Sequence, residues 1–166
     1  MPILREGELD IITGSAEQTH RYGVRLGSLL KAGDVICLSG DMGAGKTVFA
    51  SGIGVGWGAK APLTSPTYNL VNEYRRDKDK MRLCHMDAYR LEGVDDLDGI
   101  GFDDILSAKR ILVIEWPERI ESALPHDHLW VQLRVLDTGR RNLIVEGRGK
   151  RYEDLVQRFR EIAFGV

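Results

Sequence analysis

Apolar and polar positions change period repeatedly along this chain of 166 residues, and each change marks an element boundary. Ser15 and Gln18 stand at capping-box spacing, and Tyr22, Leu26, Leu29 and Leu30 follow at the interval of a helix that Gly33 stops. Val35, Ile36, Cys37 and Leu38 are apolar without interruption, the mark of a short strand covered on both faces. A glycine-rich turn comes next, then a helix predicted to start at Lys46. Residues 68–74 and 81–86 read as strands joined by a charged, solvated hairpin turn, and short acidic helical pieces occupy 94–108. Ile111 to Ile114 form a second wholly apolar strand ending in Glu115, after which Pro117 suits the first turn of a helix. Leu129, Val131, Leu133 and Val135 alternate with polar residues, as do Leu143 and Val145 beyond the turn Asp137-Thr138-Gly139, which predicts a late antiparallel hairpin. Tyr152, Leu155, Val156, Phe159 and Ile162 make the apolar stripe of a last helix. Strands alternating with helices, two of them apolar on both faces, predict an α/β sandwich with a mixed, mainly parallel central sheet and antiparallel hairpins.

No repeat, low-complexity tract or linker interrupts this pattern, so residues 1–166 are expected to form a single domain. A 43% hydrophobic and 29% charged composition excludes disorder and collagen-like repeats. No apolar run is long enough for a membrane span, and the acidic start MPILREGELD does not suit a secretory signal, so a cytoplasmic protein with no membrane partner is expected. Cys37 and Cys84 sit at no zinc-type or redox spacing and fit reduced core thiols. With 23 Lys plus Arg against 25 Asp plus Glu, the net charge of −2 offers no broad electrostatic footprint for binding nucleic acid. Arg140, Arg141, Arg148, Lys150 and Arg151 read as hairpin-edge charges facing water rather than a basic patch. Glycine is over-represented at 19 residues, seven of them between Gly40 and Gly58.

Gly40-Asp41-Met42-Gly43-Ala44-Gly45-Lys46-Thr47 satisfies G-x-x-x-x-G-K-[ST] at every specified position and directly follows a buried strand. A triphosphate needs several backbone N–H donors aimed into one concavity, then a helix whose N-terminus carries partial positive charge. Asp41, Met42, Gly43, Ala44 and Gly45 would shape that cradle, Lys46 would reach the β- and γ-phosphates, and the Thr47 hydroxyl would ligate Mg²⁺. Gly52, Gly54, Gly56 and Gly58 lie beyond the helix start, do not form G-x-G-x-x-G, and read as a weak, flexible helix end.

A phosphate loop needs an acid at the end of a neighbouring buried strand, and two are available: Glu115 after 111–114 and Asp87 after 81–86. The hydroxyl-bearing segment Thr64-Ser65-Pro66-Thr67 is placed to sense the γ-phosphate, with Thr67 the candidate catalytic residue. No N-K-x-D guanine motif occurs, and Ser107-Ala108-Lys109 precedes its strand instead of following one, so ATP is the expected nucleotide.

Five segments in order, Ser15-Ala16-Glu17-Gln18-Thr19, the phosphate loop, Ser65-Pro66-Thr67-Tyr68-Asn69-Leu70-Val71, His85-Met86-Asp87-Ala88-Tyr89-Arg90-Leu91 and Ile114-Glu115-Trp116-Pro117-Glu118, together resemble the TsaE (formerly YjeE) family. These are small bacterial ATPases required for N6-threonylcarbamoyladenosine in tRNA. The phosphate loop is common to many NTPases, whereas the other segments in this order are specific. The resemblance implies a three-layer P-loop NTPase fold, with Lys46 and Thr47 on phosphate and Mg²⁺. It also implies a switch-like role for Ser65-Pro66-Thr67, Asp87 as a carboxylate needed for hydrolysis, Glu115 at the metal beside Trp116, and adenine held partly near Ser15 and Thr19. Met42 stands where the family usually has Leu and Val48 where it has a second Thr, and neither change removes a chemical role.

In that family the ATPase joins TsaD and TsaB, and its turnover is thought to reset the transferase complex, with tRNA reached mainly through the complex. Two other classes share a phosphate loop. A small-molecule or nucleotide kinase would need an acceptor site and an arginine-bearing lid between Thr47 and Glu115, where only a charged hairpin and acidic pieces occur. A nucleotide-gated assembly factor would need binding without hydrolysis. Trp116 beside a metal carboxylate either packs or reports nucleotide state to a partner.

Overall fold

A computed structural model describes residues 7–66 and 70–165. Seven strands share one sheet in the order β1(Glu8–Thr13), β7(Arg141–Arg148), β6(His128–Val135), β2(Val35–Ser39), β5(Ile111–Glu115), β4(Arg82–Asp87), β3(Val71–Arg75). The four middle strands β6, β2, β5 and β4 run parallel, and antiparallel pairings flank them on both sides. The mixed sheet expected from the sequence is therefore parallel at its centre and antiparallel at both edges.

Period-two alternation sends side chains to opposite faces of this sheet. Ile36, Leu38, Leu83, Ile111, Val113, Leu129, Val131 and Val145 share one core with α1(Ala16–Gly27), α2(Lys46–Trp57) and α4(Lys150–Phe164). Val35, Cys37, Cys84, Met86, Leu112 and Ile114 share the other with the 3-10 segments Val94–Ile100 and Pro117–Ala123 and with α3(Phe102–Ser107). Three layers result, as expected for a phosphate-loop protein. No helix among the described residues is long and apolar enough to cross a membrane.

Three sequence expectations change. Helix α1 begins as read, with the Ser15 hydroxyl accepting from the Gln18 N–H at 3.2 Å, but it ends at Gly27, so Leu29 and Leu30 pack from the turn beyond it. Strand β1 was not legible as a strand and pairs with β7, its partner lying at the far end of the chain. The run from Gly52 to Gly58 is not a flexible helix end. Helix α2 continues regularly to Trp57, and its glycines form half of a close helix crossing. A Cβ on Gly52 would lie 2.2 Å from the His20 carbonyl oxygen and one on Gly56 1.9 Å from that of Val24. Reciprocally, one on Gly23 would lie 2.4 Å from the Phe49 carbonyl oxygen and one on Gly27 2.1 Å from that of Ile53. Bare backbones on both sides are what allow α1 to lie directly on α2.

Candidate nucleotide site

The parallel topology delivers the site. The phosphate loop leaves the C-terminal end of β2 and turns into α2 through Gly45, whose φ of +102° is a left-handed conformation that a side chain would strain. Ala44 is buried beneath the loop, its N–H bonded to the Asp41 carbonyl at 3.1 Å. On the neighbouring strands, Asp87 and Glu115 stand opposite each other in register at the C-terminal ends of β4 and β5. Two residues back on β4, His85 faces the same side of the sheet as both acids, the side that α2 covers.

These elements surround a cavity of ≈ 340 Å³ lined by Met42, Gly43, Gly45, Lys46, Thr47, Val48, Ser65, Asp87, Glu115 and Trp116. The Thr47 hydroxyl bonds the Glu115 Oε1 at 3.2 Å and the Ser65 hydroxyl at 3.0 Å. The Glu115 Oε2 meets His85 Nε2 at 2.7 Å, and both side chains are buried. Because a carboxylate only accepts, Nε2 is the donor. Lys46 donates to the Gly40 carbonyl and, at 3.0 Å, to that of Asp41, while its ammonium sits 4.2 Å from the Trp116 ring centre. Burial pushes the Lys46 pKa down, opposed by the Glu115, Glu118, Asp87 and Asp41 carboxylates. Burial pushes the Asp87 carboxyl above the usual carboxylate range; the Tyr89 N–H bonded to Oδ1 at 2.9 Å opposes this, and the Glu115 charge adds to it. A partly desolvated ammonium held by neutral carbonyls lines one cavity with a hydroxyl and two carboxylates. Such a donor set suits a phosphate group with Mg²⁺, which takes few protein oxygens and completes its octahedron with phosphate and water.

A second cavity of ≈ 320 Å³ shares Gly43, Gly45 and Val48 with the first and extends past Gly14, Ser15, Ala16 and Thr19 to Thr138, Gly139 and Arg141. Arg141 ties the β6–β7 turn to the phosphate loop by donating to the Gly43 carbonyl at 3.2 Å. Ser15 and Thr19 thus line a cavity that adjoins the phosphate loop, and each also serves the fold, Thr19 through a 2.7 Å hydroxyl bond to Thr13.

Lys46, Thr47, Glu115, Asp87, Met42, Gly43 and Gly45 come together as the sequence reading expected. Asp41 contributes its carbonyl to Lys46 rather than a wall of the cavity, and Ala44 supports the loop from below. Thr67 lies outside the described residues; from the same segment Ser65 reaches Thr47. Sequence reasoning missed His85 and Arg141. His85 stands in one of the segments that carry the resemblance, without a role of its own there, and Arg141 comes close only through the sheet. The other basic residues near it disperse: Arg140 pairs with Asp137, Arg148 lies over Trp130, Lys150 pairs with Asp154 and Arg151 bonds Asp34. Trp116 packs against Tyr89 at 5.0 Å and adopts a left-handed backbone with φ of 59°.

A sequence profile described as threonylcarbamoyl adenosine biosynthesis protein TsaE matches residues 13–143. This chain belongs to the TsaE family. It is 39% identical to the tRNA threonylcarbamoyladenosine biosynthesis protein TsaE of Treponema pallidum over 134 residues, covering 81% of this chain and 97% of that one. To the TsaE protein of Bacillus subtilis it is 32% identical over 145 residues, covering 87% and 89%. The crystal structure of Bacillus subtilis YdiB is similar at a TM-score of 0.77 and 28% identity, covering 93% of this chain and 95% of that one. The profile spans every residue that lines the two cavities. The family is one of threonylcarbamoyladenosine biosynthesis in tRNA.

Proposed function

We propose that this TsaE-family chain binds ATP with Mg²⁺ and hydrolyses it as the accessory ATPase of the TsaD–TsaB transferase complex. The modification it serves is that of adenosine 37 in tRNAs reading codons that begin with A, in the cytoplasm. The convergence of Lys46, Thr47, Asp87 and Glu115 on one cavity at the N-terminus of α2 carries this reading. The adjoining cavity beside Ser15 and Thr19 leaves room for a nucleoside.

On arrival of the triphosphate, Lys46 exchanges the Gly40 and Asp41 carbonyls for phosphoryl oxygens, and the α2 N–H groups align with the same anion. Thr47 and Glu115 would hold Mg²⁺ directly and Asp87 through water, and the ion would neutralise charge on the phosphate oxygens. Glu115, already bonded to Thr47, takes the metal side. Asp87, whose burial favours proton uptake, orients and draws a proton from the attacking water. His85 holds Glu115 from behind through Oε2, leaving Oε1 for the cavity. His85→Ala is expected to lower Mg²⁺-dependent turnover by roughly ten- to a hundredfold, the usual effect of losing a partner behind a metal ligand. His85→Gln, which keeps an N–H donor, should restore part of it, and Mg²⁺-free ADP binding should remain unchanged in both. Equal turnover in wild type and His85→Ala would remove this role.

Depletion of the protein followed by nucleoside analysis of tRNA tests the whole reading, with loss of threonylcarbamoyladenosine the expected result and an unchanged level the refuting one. Purified protein should hydrolyse ATP slowly alone and faster with TsaD and TsaB. Phosphoryl transfer to a metabolite in place of water would instead make it a kinase. Modification supported by a variant that binds ATP without hydrolysing it would make it a nucleotide-gated assembly factor.

A further inference from the structure

The near-neutral net charge conceals a strong local asymmetry. In a parallel sheet the phosphate loop leaves the C-terminal strand ends, and the chain re-enters at the N-terminal strand ends, at the opposite end of the sheet. The connections entering β2, β4 and β5, which are adjacent strands, are the basic ones. Lys31, Arg76, Lys78, Arg151 and Arg158 line a cavity of ≈ 440 Å³ there. Lys80, Arg82, Lys109 and Arg110 line a second of ≈ 520 Å³, and the two share Ala32 and Met81. Nine cations and no carboxylate therefore line one continuous surface.

Acids do lie around it, but each is already engaged. Asp34 takes Arg151, Asp79 takes Arg76, Glu73 takes both Arg82 and Arg110, and Asp77 takes Lys60. Lys31, Lys78, Lys80, Lys109 and Arg158 are exposed and have no ion pair among the described residues. None of the large exposed apolar side chains, such as Tyr89 and Phe164, lines either cavity. Protein interfaces favour aromatic anchors and are depleted of lysine, and surfaces for single strands carry aromatic platforms for base stacking. A lysine-rich surface with neither matches the sugar-phosphate backbone of a folded, double-helical RNA.

We propose that the end of the sheet opposite the phosphate loop, where β2, β5 and β4 begin, is a sequence-independent docking surface for an RNA backbone, seated on Lys31, Lys78, Lys80, Lys109 and Arg158. It lies remote from the nucleotide cavity, so RNA and nucleotide can be held together. It goes beyond the expectation from net charge and does not depend on ATP hydrolysis.

The test measures binding of an unmodified tRNA transcript to the full chain by fluorescence anisotropy across a salt series, without nucleotide or partner proteins. The wild type should bind at low salt with affinity falling steeply as salt rises, and unrelated hairpin RNA should bind about as well. The triple variant Lys31→Glu, Lys78→Glu, Lys109→Glu should bind at least tenfold more weakly. Each lost phosphate contact flattens the slope of log affinity against log salt by roughly 0.7 to 0.9, so the variant's slope should be shallower by roughly 2 to 3. ADP affinity, read separately, verifies that the variant is folded. Absence of RNA binding at low salt, equal binding by the variant, or tighter binding of polyglutamate than of RNA would each overturn the proposal. Loss of ATP turnover, with RNA binding intact, would refute the proposed ATPase and leave this surface standing.

Discussion

Glu115→Gln is expected to reduce Mg²⁺-dependent ATP turnover, measured with TsaD and TsaB present, by about a hundredfold or more, the scale set by removing one preorganised charge from a site of phosphoryl transfer. The substitution keeps the size of the side chain and an oxygen for the Thr47 hydroxyl, and its amide N–H can donate to His85 Nε2 when the imidazole carries its proton on Nδ1, so the fold around the buried pair should persist. What it removes is negative charge at the metal position, and Mg²⁺ should then enhance nucleotide affinity much less than in the wild type. Two signals separate this outcome from general damage. ADP should still bind without Mg²⁺ through Lys46 and the loop. The Trp116 emission should also still change on binding, because Lys46 leaves its place 4.2 Å from the Trp116 ring when it turns to phosphate. A variant with Trp57→Phe and Trp130→Phe isolates that signal, and unimpaired turnover in Glu115→Gln would refute the metal-side role of Glu115.

The second large effect is structural. Replacing glycine by alanine inside a helix ordinarily stabilises by about 1 kcal/mol through propensity. Gly56→Ala should nevertheless destabilise this protein, because its Cβ would fall 1.9 Å from the Val24 carbonyl oxygen and 2.7 Å from the carbonyl carbon. Both atoms are backbone of a packed helix, so neither can rotate away, and α1 must shift off α2. Overpacking of that kind costs about 3 kcal/mol, the upper end of the usual range, which outweighs the propensity gain. Thermal denaturation should show Tm lowered by about 4–8 °C for a net loss of ~2 kcal/mol in a chain of this size. Gly99→Ala, where nothing lies within 4 Å of the added Cβ, should leave Tm nearly unchanged. A Tm for Gly56→Ala at or above the wild type would mean that the helix crossing is looser than described. Helix α1 also supplies Ser15 and Thr19 to the second cavity, so the same variant should weaken nucleotide binding.

The contrast between these two predictions shows where the sequence was legible. Glu115 and Lys46 could be picked out because their chemistry is local: a loop of fixed spacing after an apolar strand, and an acid ending another apolar strand. The glycines of α2 could not. Their composition was visible, but a glycine in a helix means flexibility or close approach depending on what lies across from it, and the partner glycines of α1 are some thirty residues away. Strand β1 escaped notice for the same reason. Leu9, Ile11 and Thr13 alternate over too few residues to declare a strand, and their pairing with Val145, Leu143 and Arg141 is what makes one. The charged segment between β3 and β4 is a hairpin turn, as its composition predicts, and its lysines meet those entering β2 and β5 only in the fold.

By itself, then, the sequence determined the alternation of elements, the phosphate loop with Lys46 and Thr47, the two candidate acids and the family. All of these depend on residues close together in the chain, where spacing and period translate directly into geometry. Tertiary structure decided what depends on distant segments meeting. It placed Asp87 and Glu115 in register beside Thr47, set His85 behind Glu115, brought Arg141 to the phosphate loop, and turned two runs of glycine into one helix contact. It also gathered scattered lysines at one end of the sheet, because β2, β5 and β4 are parallel neighbours whose N-terminal ends lie together, whether the chain enters by a crossover or by the β3–β4 hairpin.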